Sequence, residues 1–242
     1  MFRLHFCQDF DGPVCAPKTA AQFGELFAGP KKLLLWLEHQ LGLAGYPENT
    51  DYLRIELFRQ ALGQHLATCE QDPLFSILPF YEKSYKADRF ATAAALLAWR
   101  DELLLAGWDF SVSTDLPDRL SALAAVEALF RKKITDPDAA LQATGFADRF
   151  VQVLEALQTR RIPLEKVFLY EPLDLQTPPV QRLLKILHSK NIEIDIKTIG
   201  SAAGSETELG KLQRRLNPDL EASGEGPGGS AETPPKASLI IL

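Results

Sequence analysis

The sequence has few of the residues that build disulfide-stabilised or metal-stabilised proteins. Only three cysteines occur among 242 residues, Cys7, Cys15 and Cys69, and none belongs to a CxxC motif. The four histidines are widely spaced and form no zinc-ligand pattern. We therefore expect no disulfide framework and no metal site in this chain, and a reducing cytoplasm is the simplest compartment.

Long apolar runs and an excess of positive charge are also lacking. The longest hydrophobic run is far too short to span a bilayer, and charged residues occur too early for a secretory leader, so we expect no membrane partner. The net charge is −6. A general attraction to nucleic acid is therefore not indicated, although a local basic face is compatible with this charge.

Hydrophobic periodicity predicts an α/β fold. Residues 2–6 alternate apolar and polar side chains, which is typical of a strand. Residues 166–172 and 192–199 have strand character and flank a helical segment, so they predict a β–α–β unit with parallel strands. Residues 18–29 are predicted to form a short helix, and helical patterns dominate between about residues 45 and 160.

These patterns predict a parallel sheet core over residues 1–200, with a large helical insertion at about 45–160. Residues 201–238 are rich in Gly, Pro, Ser and Glu, and this composition favours a disordered linker. Residues 239–242 are apolar and predict the start of a further strand. We therefore expect the chain to be the front part of a longer protein.

One helix carries a charged triplet, Arg100, Asp101 and Glu102, inside an apolar stretch that Gly107 ends. Adjacent carboxylates diverge by about 100° on a helix, whereas acid–base catalysis and metal binding need carboxylates that converge. The triplet is therefore predicted to face solvent, with Arg100 paired locally. Three aromatic residues on apolar helical faces are predicted to be core residues: Trp36, Phe58 and Trp99.

Residues 12–19 partly match a phosphate-binding loop. They read GPVCAPKT, so Gly12, Lys18 and Thr19 agree with the pattern G-x-x-x-x-G-K-[ST]. Pro17 replaces the second glycine, and a proline offers phosphate no backbone N–H group. The segment is either a chance match or the remnant of a nucleotide-binding loop, and no ATP hydrolysis is expected from it.

Other candidate functional residues are acidic or basic. Asp195 and Lys197 lie on a predicted strand and match the short half of a PD-(D/E)XK nuclease motif, for which Glu171 could supply the upstream acid. An ordinary alternating strand explains the same residues. Candidates for DNA contact lie near predicted helix ends, where solvent-facing cations are also common: Arg131, Lys132, Lys133, Arg160 and Arg161.

Three segments resemble one protein family: residues 29–43 (GPKKLLLWLEHQLGL), 96–110 (LLAWRDELLLAGWDF) and 166–194 (KVFLYEPLDLQTPPVQRLLKILHSKNIEI). They are similar to the N-terminal region of AddB-type helicase–nuclease subunits and related bacterial DNA-repair proteins of the PD-(D/E)XK nuclease family. The resemblance implies a helicase-like, P-loop-like α/β domain with an inserted helical subdomain. It also implies a C-terminal nuclease domain that these residues do not include.

The expected function is therefore that of a non-catalytic, helicase-like region of a DNA-repair nuclease. Such a region would act in scaffolding, in DNA contact or in binding a helicase–nuclease partner subunit. No cofactor is expected in this chain, and Mg²⁺ is expected only for a nuclease domain elsewhere. Two alternatives stay open: a helical protein-interaction domain without a nucleic-acid role, and a small metal-dependent nuclease that uses Glu171, Asp195 and Lys197.

Overall fold

A computed structural model describes residues 1–12, 23–43, 51–71, 78–113, 115–133 and 144–197, all in one compact unit. These residues form four strands: β1 (Phe2–Phe6), β2 (Glu25–Ala28), β3 (Leu164–Leu169) and β4 (Glu193–Ile196). They form seven α-helices: α1 (Pro30–Leu41), α2 (Asp51–Gln71), α3 (Glu82–Ala87), α4 (Arg89–Ala106), α5 (Asp118–Lys133), α6 (Phe146–Thr159) and α7 (Pro178–Ser189). The prediction of a mixed α/β fold is confirmed. The predicted linker at 201–238 and strand at 239–242 lie outside the described residues.

The four strands form one parallel sheet in the order β2-β1-β3-β4. Strands β1, β3 and β4 match the predicted strands. The predicted helix at 18–29 is wrong over its C-terminal part, because Glu25–Ala28 is the edge strand β2. Gly24 precedes this strand with φ +87°, a left-handed conformation that suits glycine. A pattern of only four residues did not distinguish strand from helix, and pairing with β1 decides the conformation.

One face of the sheet packs on three helices. Leu4 and Phe6 of β1 lie beside Val167 and Leu169 of β3 and share this face. Apolar side chains of α1, α6 and α7 cover them and complete a first core. The long apolar stripes of these helices are what the sequence periodicity predicts.

Helices α2 to α5 follow α1 in the chain and precede β3. They enclose a second hydrophobic core. Phe58 of α2 packs edge-to-face on Phe130 of α5, and both rings are fully buried. Leu96 and Leu97 of α4 close this core. Helix α6 lies within the stretch predicted as an insertion, but most of its buried residues pack under the sheet.

The prediction that the charged triplet faces solvent is wrong for Arg100. Its side chain is 2% exposed and donates two hydrogen bonds to Glu127 of α5, at 2.9 and 2.7 Å. Asp101 is half-buried and pairs with Arg54 of α2, whereas Glu102 is exposed. The helix projects the three residues in different directions, so α5 and α2 meet the first two charges.

The prediction of aromatic core residues holds for Phe58 and, in part, for Trp36, which packs against the first core. It is wrong for Trp99, which is 50% exposed on the outer side of α4. Ala91, Ala95 and Ala98 are also exposed on this helix. An apolar helical face therefore does not by itself identify burial here. Among the described helices, none is long and apolar enough to cross a membrane.

Candidate site at the carboxyl edge of the sheet

The strand order places a change of direction at β1 and β3. The chain passes from β1 to β2 on one side of β1 and later adds β3 on its other side. In parallel α/β sheets, ligands bind in the crevice outside the carboxyl ends of the two strands at such a switch point. The residues that follow Phe6 and Leu169 therefore lie where a ligand of such a sheet would bind.

Glu171 is the centre of the polar contacts at this edge. Its carboxylate accepts hydrogen bonds from the Gln8 backbone N–H at 3.2 Å and from Gln176 Nε2 at 3.0 Å. The Cys7 thiol donates to its second oxygen at 3.4 Å. The side chain is thus held by groups that follow β1 and by the short 3₁₀ helix Leu173–Leu175 that follows β3.

The turn after β1 is closed by its own carboxylates. Asp11 accepts hydrogen bonds from the backbone N–H groups of Lys31 and Lys32 at 2.6 and 3.1 Å, and so caps the N-terminus of α1. Lys32 Nζ donates to the Phe10 carbonyl at 2.6 Å. Gly29 permits this approach, because a Cβ atom there would lie 2.6 Å from Asp11 Cγ.

A thiol and two carboxylates lie close together at this edge. Cys7 Sγ and one carboxylate oxygen each of Asp9 and Glu171 all lie within 4.8 Å of one another. Burial raises the pKa of the Cys7 thiol, and the nearby Glu171 carboxylate adds to the rise. The thiol is therefore protonated at neutral pH while it donates to Glu171.

A second polar cluster lies on the sheet face opposite the first core. His5 of β1 contacts the Tyr170 hydroxyl at 2.9 Å and Glu25 at 2.6 Å. Its ring stacks between Phe27 and Phe168 at centroid distances of 4.3 and 4.8 Å. Both faces of the His5 ring are therefore covered by neighbouring aromatic rings.

The three nuclease candidates have different partners. Glu171 contacts Cys7, Gln8 and Gln176. Asp195 pairs with Lys166 at 3.3 Å, and Lys197 Nζ lies 4.4 Å from the Phe168 ring centroid. The contacts of the three residues do not join them into one constellation.

Of the three residues that match the phosphate-loop pattern, Gly12 lies among the described residues. Gly12 ends the turn after β1, and its N–H donates to the Asp9 carbonyl at 2.9 Å. Lys18 and Thr19 lie outside the described residues.

The basic candidates lie at the C-terminal ends of α5 and α6. Arg131 pairs with Glu127 at 2.8 Å, and the Arg160 guanidinium donates to the Leu41 carbonyl at the end of α1. Lys133 is half-buried, and the other four basic candidates are exposed: Arg131, Lys132, Arg160 and Arg161. Arg131 and Arg160 therefore have structural contacts of their own, whereas Arg161 is an exposed candidate in the segment that leads to β3.

The three segments that carry the family resemblance meet around one apolar cavity of about 310 Å³. Pro30 comes from the first segment, Leu105 from the second and Pro179 from the third. Phe146 and Phe150 of α6 complete the wall. Arg182 of α7 also donates to the Leu105 carbonyl, which ties the end of α4 to α7.

The fold and this edge define the class as a mixed α/β protein. It has a four-stranded parallel sheet and a second core, which is formed by the helices that lie between α1 and β3 in the chain. No protein-family model matches the chain, and no curated protein matches it.

Sequence reasoning selected Glu171 but missed Cys7, Asp9 and Gln176. Their side chains meet only after β1 and β3 pair, since more than 160 residues separate Cys7 from Glu171. A usable signal was present, because the first residues after β1 and β3 of a parallel sheet meet at one edge.

Proposed function

We propose that this chain is a non-catalytic, helicase-like α/β region of a bacterial DNA-repair protein of the PD-(D/E)XK nuclease family, of the AddB type. It acts as a framework that contacts DNA and a helicase–nuclease partner subunit. The parallel sheet, its switch point and the helical core between β2–α1 and β3 agree with the architecture that the resemblance implies. The meeting of the three similar segments at one cavity supports treating them as parts of a single unit.

The observation that carries the non-catalytic part is the occupation of the carboxyl edge by the chain's own carboxylates. Nucleotide phosphates bind backbone N–H groups and helix N-termini at this edge in related architectures. Here Glu171 accepts from the Gln8 N–H, and Asp11 accepts from the N–H groups of Lys31 and Lys32. A triphosphate would meet carboxylates where it needs donors.

MgATP binding and hydrolysis by the purified chain test this part. We expect no saturable MgATP binding and no turnover, because the N–H donors at the edge are already engaged. Turnover that is lost in Lys18→Ala would overturn the proposal, since that lysine is the residue of the loop remnant that would reach a phosphate.

DNA contact is tested with fluorescence anisotropy of a labelled duplex end at several salt concentrations. We expect Arg161→Glu to weaken binding and to reduce the slope of log K against log salt by about one. Lys83→Glu on α3 is the matched control, because it makes the same charge change at another exposed position. The absence of duplex binding at low salt, or equal effects of both variants, would reject DNA contact by this region.

One alternative is favoured by a specific observation. Trp99 is half-exposed on α4, three residues before Glu102, which lines the apolar cavity, and exposed apolar surface of this kind is typical of protein-interaction sites. A helical interaction domain without a nucleic-acid role would bind its partner and leave duplex DNA unbound. Loss of partner binding in Trp99→Ala, together with no DNA binding by the native chain, would identify this alternative.

A further inference from the structure

We propose that the outer face of α4 is a docking groove for an amphipathic helix of a partner protein, with apolar side chains along one face of that helix and a Lys or Arg beside Glu102. This inference rests on the partner-binding part of the proposed function and deepens it, because it names the surface and the chemistry that a partner needs. It does not depend on DNA contact or on the carboxyl edge of the sheet.

The exposed face of α4 is apolar along almost its whole length. Apart from Arg89 at its start, the exposed residues of α4 lie within about 100° of one another around the helix axis. They form the α4 stripe: Ala91, Ala95, Ala98, Trp99, Glu102 and Ala106. The solvent face of a surface helix normally carries polar and charged side chains. In the α4 stripe Glu102 alone does so, although other apolar residues of α4 already pack into the second core. The composition is that of a helix covered on both sides.

The stripe leads into the apolar cavity. Glu102 and Ala106 belong both to the α4 stripe and to the wall of this cavity of about 310 Å³. Phe150 and Val180 supply buried parts of the wall. An engineered apolar cavity of about 150 Å³ takes up benzene, so this cavity is large enough for a Leu or Phe side chain. A helix that lies along the stripe can therefore place one apolar side chain in the cavity.

The size and shape of the stripe match a single helix. It is about 22 Å long, because a helix rises by about 1.5 Å per residue. Ala95 and Ala98 leave room for the backbone of another helix beside Trp99, which is 50% exposed. Tryptophan is among the residues that contribute most to binding when an interface covers them. A strip one helix wide offers a few hundred Å², whereas each subunit of a stable dimer buries about 800 Å². A partner helix therefore fits better than a second copy of this chain.

Glu102 determines the charge of the partner. Its carboxylate is exposed, and within the described part of the chain it has no ion-pair partner. The neighbouring Arg100 and Asp101 are engaged by Glu127 and Arg54. A Lys or Arg of the docked helix, about one turn from the side chain in the cavity, pairs with Glu102. An acidic residue at the same place is repelled.

The experiment measures binding of dye-labelled synthetic helical peptides of about 18 residues to the full chain by fluorescence anisotropy. The probes are an amphipathic Leu/Lys peptide, the same peptide with Glu in place of Lys, and a scrambled Leu/Lys peptide. We expect saturable binding of the amphipathic Leu/Lys peptide and none of the other two. Trp99→Ala should weaken binding by about tenfold or more. Glu102→Lys should weaken it by about fivefold or more and allow the Leu/Glu peptide to bind.

Phe23→Ala is the matched control for an exposed aromatic ring, and Glu155→Lys is the control for an exposed carboxylate on a helix. Both should leave binding of the Leu/Lys peptide unchanged, and melting curves show whether each variant is folded. No saturable binding, equal binding of the scrambled peptide, equal effects of Trp99→Ala and Phe23→Ala, or an unchanged peptide preference in Glu102→Lys would overturn the proposal.

Sedimentation equilibrium of the native chain tests the other occupant. A dimer that Trp99→Ala abolishes would identify a second copy of this chain on the stripe and would also overturn the proposal. The DNA and MgATP assays do not involve α4. Loss of peptide binding with DNA binding intact therefore rejects this inference alone, whereas peptide binding without DNA binding rejects DNA contact and keeps the groove.

Discussion

The core beneath the sheet buries aliphatic and aromatic side chains along α1, α6 and α7, whereas the core among α2 to α5 also buries a network of charges. An ion pair lies at the margin of the first core, between Glu38 of α1 and Arg149 of α6, at 2.5 Å. In the second region, Arg100 lies between Glu127, Asp101 and Asp148. The two regions thus reach a similar degree of burial by different chemistry.

The two cores constrain the arrangement of their helices to different degrees. Apolar contacts in the first core depend on area and shape, and they tolerate many arrangements of helices. Buried charges tolerate few arrangements of helices, because each guanidinium needs its carboxylates at hydrogen-bonding distance. Burial opposes the charge of Arg100, but the hydrogen bonds of Glu127 and the charge of Asp148 hold its pKa above the ordinary value. The network therefore fixes how α4 meets α5 and α6.

The largest expected effect comes from breaking this network on one side. Glu127→Gln removes the carboxylate that accepts two hydrogen bonds from Arg100, at a position that is 1% exposed, and loss of one partner of a buried pair typically costs about 3 to 5 kcal/mol. We expect a fall of that size in the free energy of unfolding, measured in urea. Glu102→Gln is the matched control, because this exposed carboxylate lies on the same helix as Arg100. A loss below about 1 kcal/mol would show that the network is not stabilising.

A substitution that creates a cavity in the first core would test whether the two cores unfold together. Leu37→Ala removes a fully buried side chain of α1, and such substitutions cost about 2 to 5 kcal/mol. Trp36 reports on this core, whereas Trp108 packs against the second one. Urea transitions followed by single-tryptophan variants should coincide if both cores unfold together. Separate transitions, with only Trp36 shifted by Leu37→Ala, would show that the cores are independent.

Strand β1 and the β–α–β unit of the sheet were largely predictable from the sequence. Residues 2–6 and the β–α–β unit carry periodic patterns that match a buried face, and the structure follows them. Strand β2 was not predictable, because four residues carry too little pattern. Arg100 was not predictable either, since its partner Glu127 lies 27 residues away and on another helix.

The sequence indicated the edge of the sheet at which the candidate site lies, but not which residues meet there. A parallel sheet indicates that ligands bind at the carboxyl ends of its strands. The choice of β1 and β3 as the switch point requires the strand order, which long-range pairing determines. Gln176 acquires its significance only from its contact with Glu171, which a turn after β3 creates.

A smaller effect is expected at the junction of the turn after β1 with α1. Asp11→Ala removes the carboxylate that accepts from Lys31 and Lys32, and loss of a helix-capping side chain costs about 0.5 to 2 kcal/mol. We expect a fall of about 1 kcal/mol in the free energy of unfolding. Asp115→Ala, at an exposed carboxylate, should have little effect. Equal stabilities of the two variants would mean that the cap does not hold the turn.

The smallest expected effect is a pH dependence confined to the second region. Burial lowers the pKa of His65, whose Nδ1 lies 2.7 Å from the Tyr81 hydroxyl. Below the ordinary histidine value of 6.5, the unfolded chain binds a proton that folded His65 still refuses, so the free energy of unfolding falls as pH decreases. Urea unfolding at about pH 7.5, 6.5 and 5.5, which spans about one unit on each side of the ordinary histidine pKa, should show this fall in the native chain and a shallower one in His65→Gln. The exposed His39→Gln is the control and should keep the native slope. If His65→Gln keeps the native slope as well, the pH dependence arises elsewhere, and His65 does not distinguish the second core from the first.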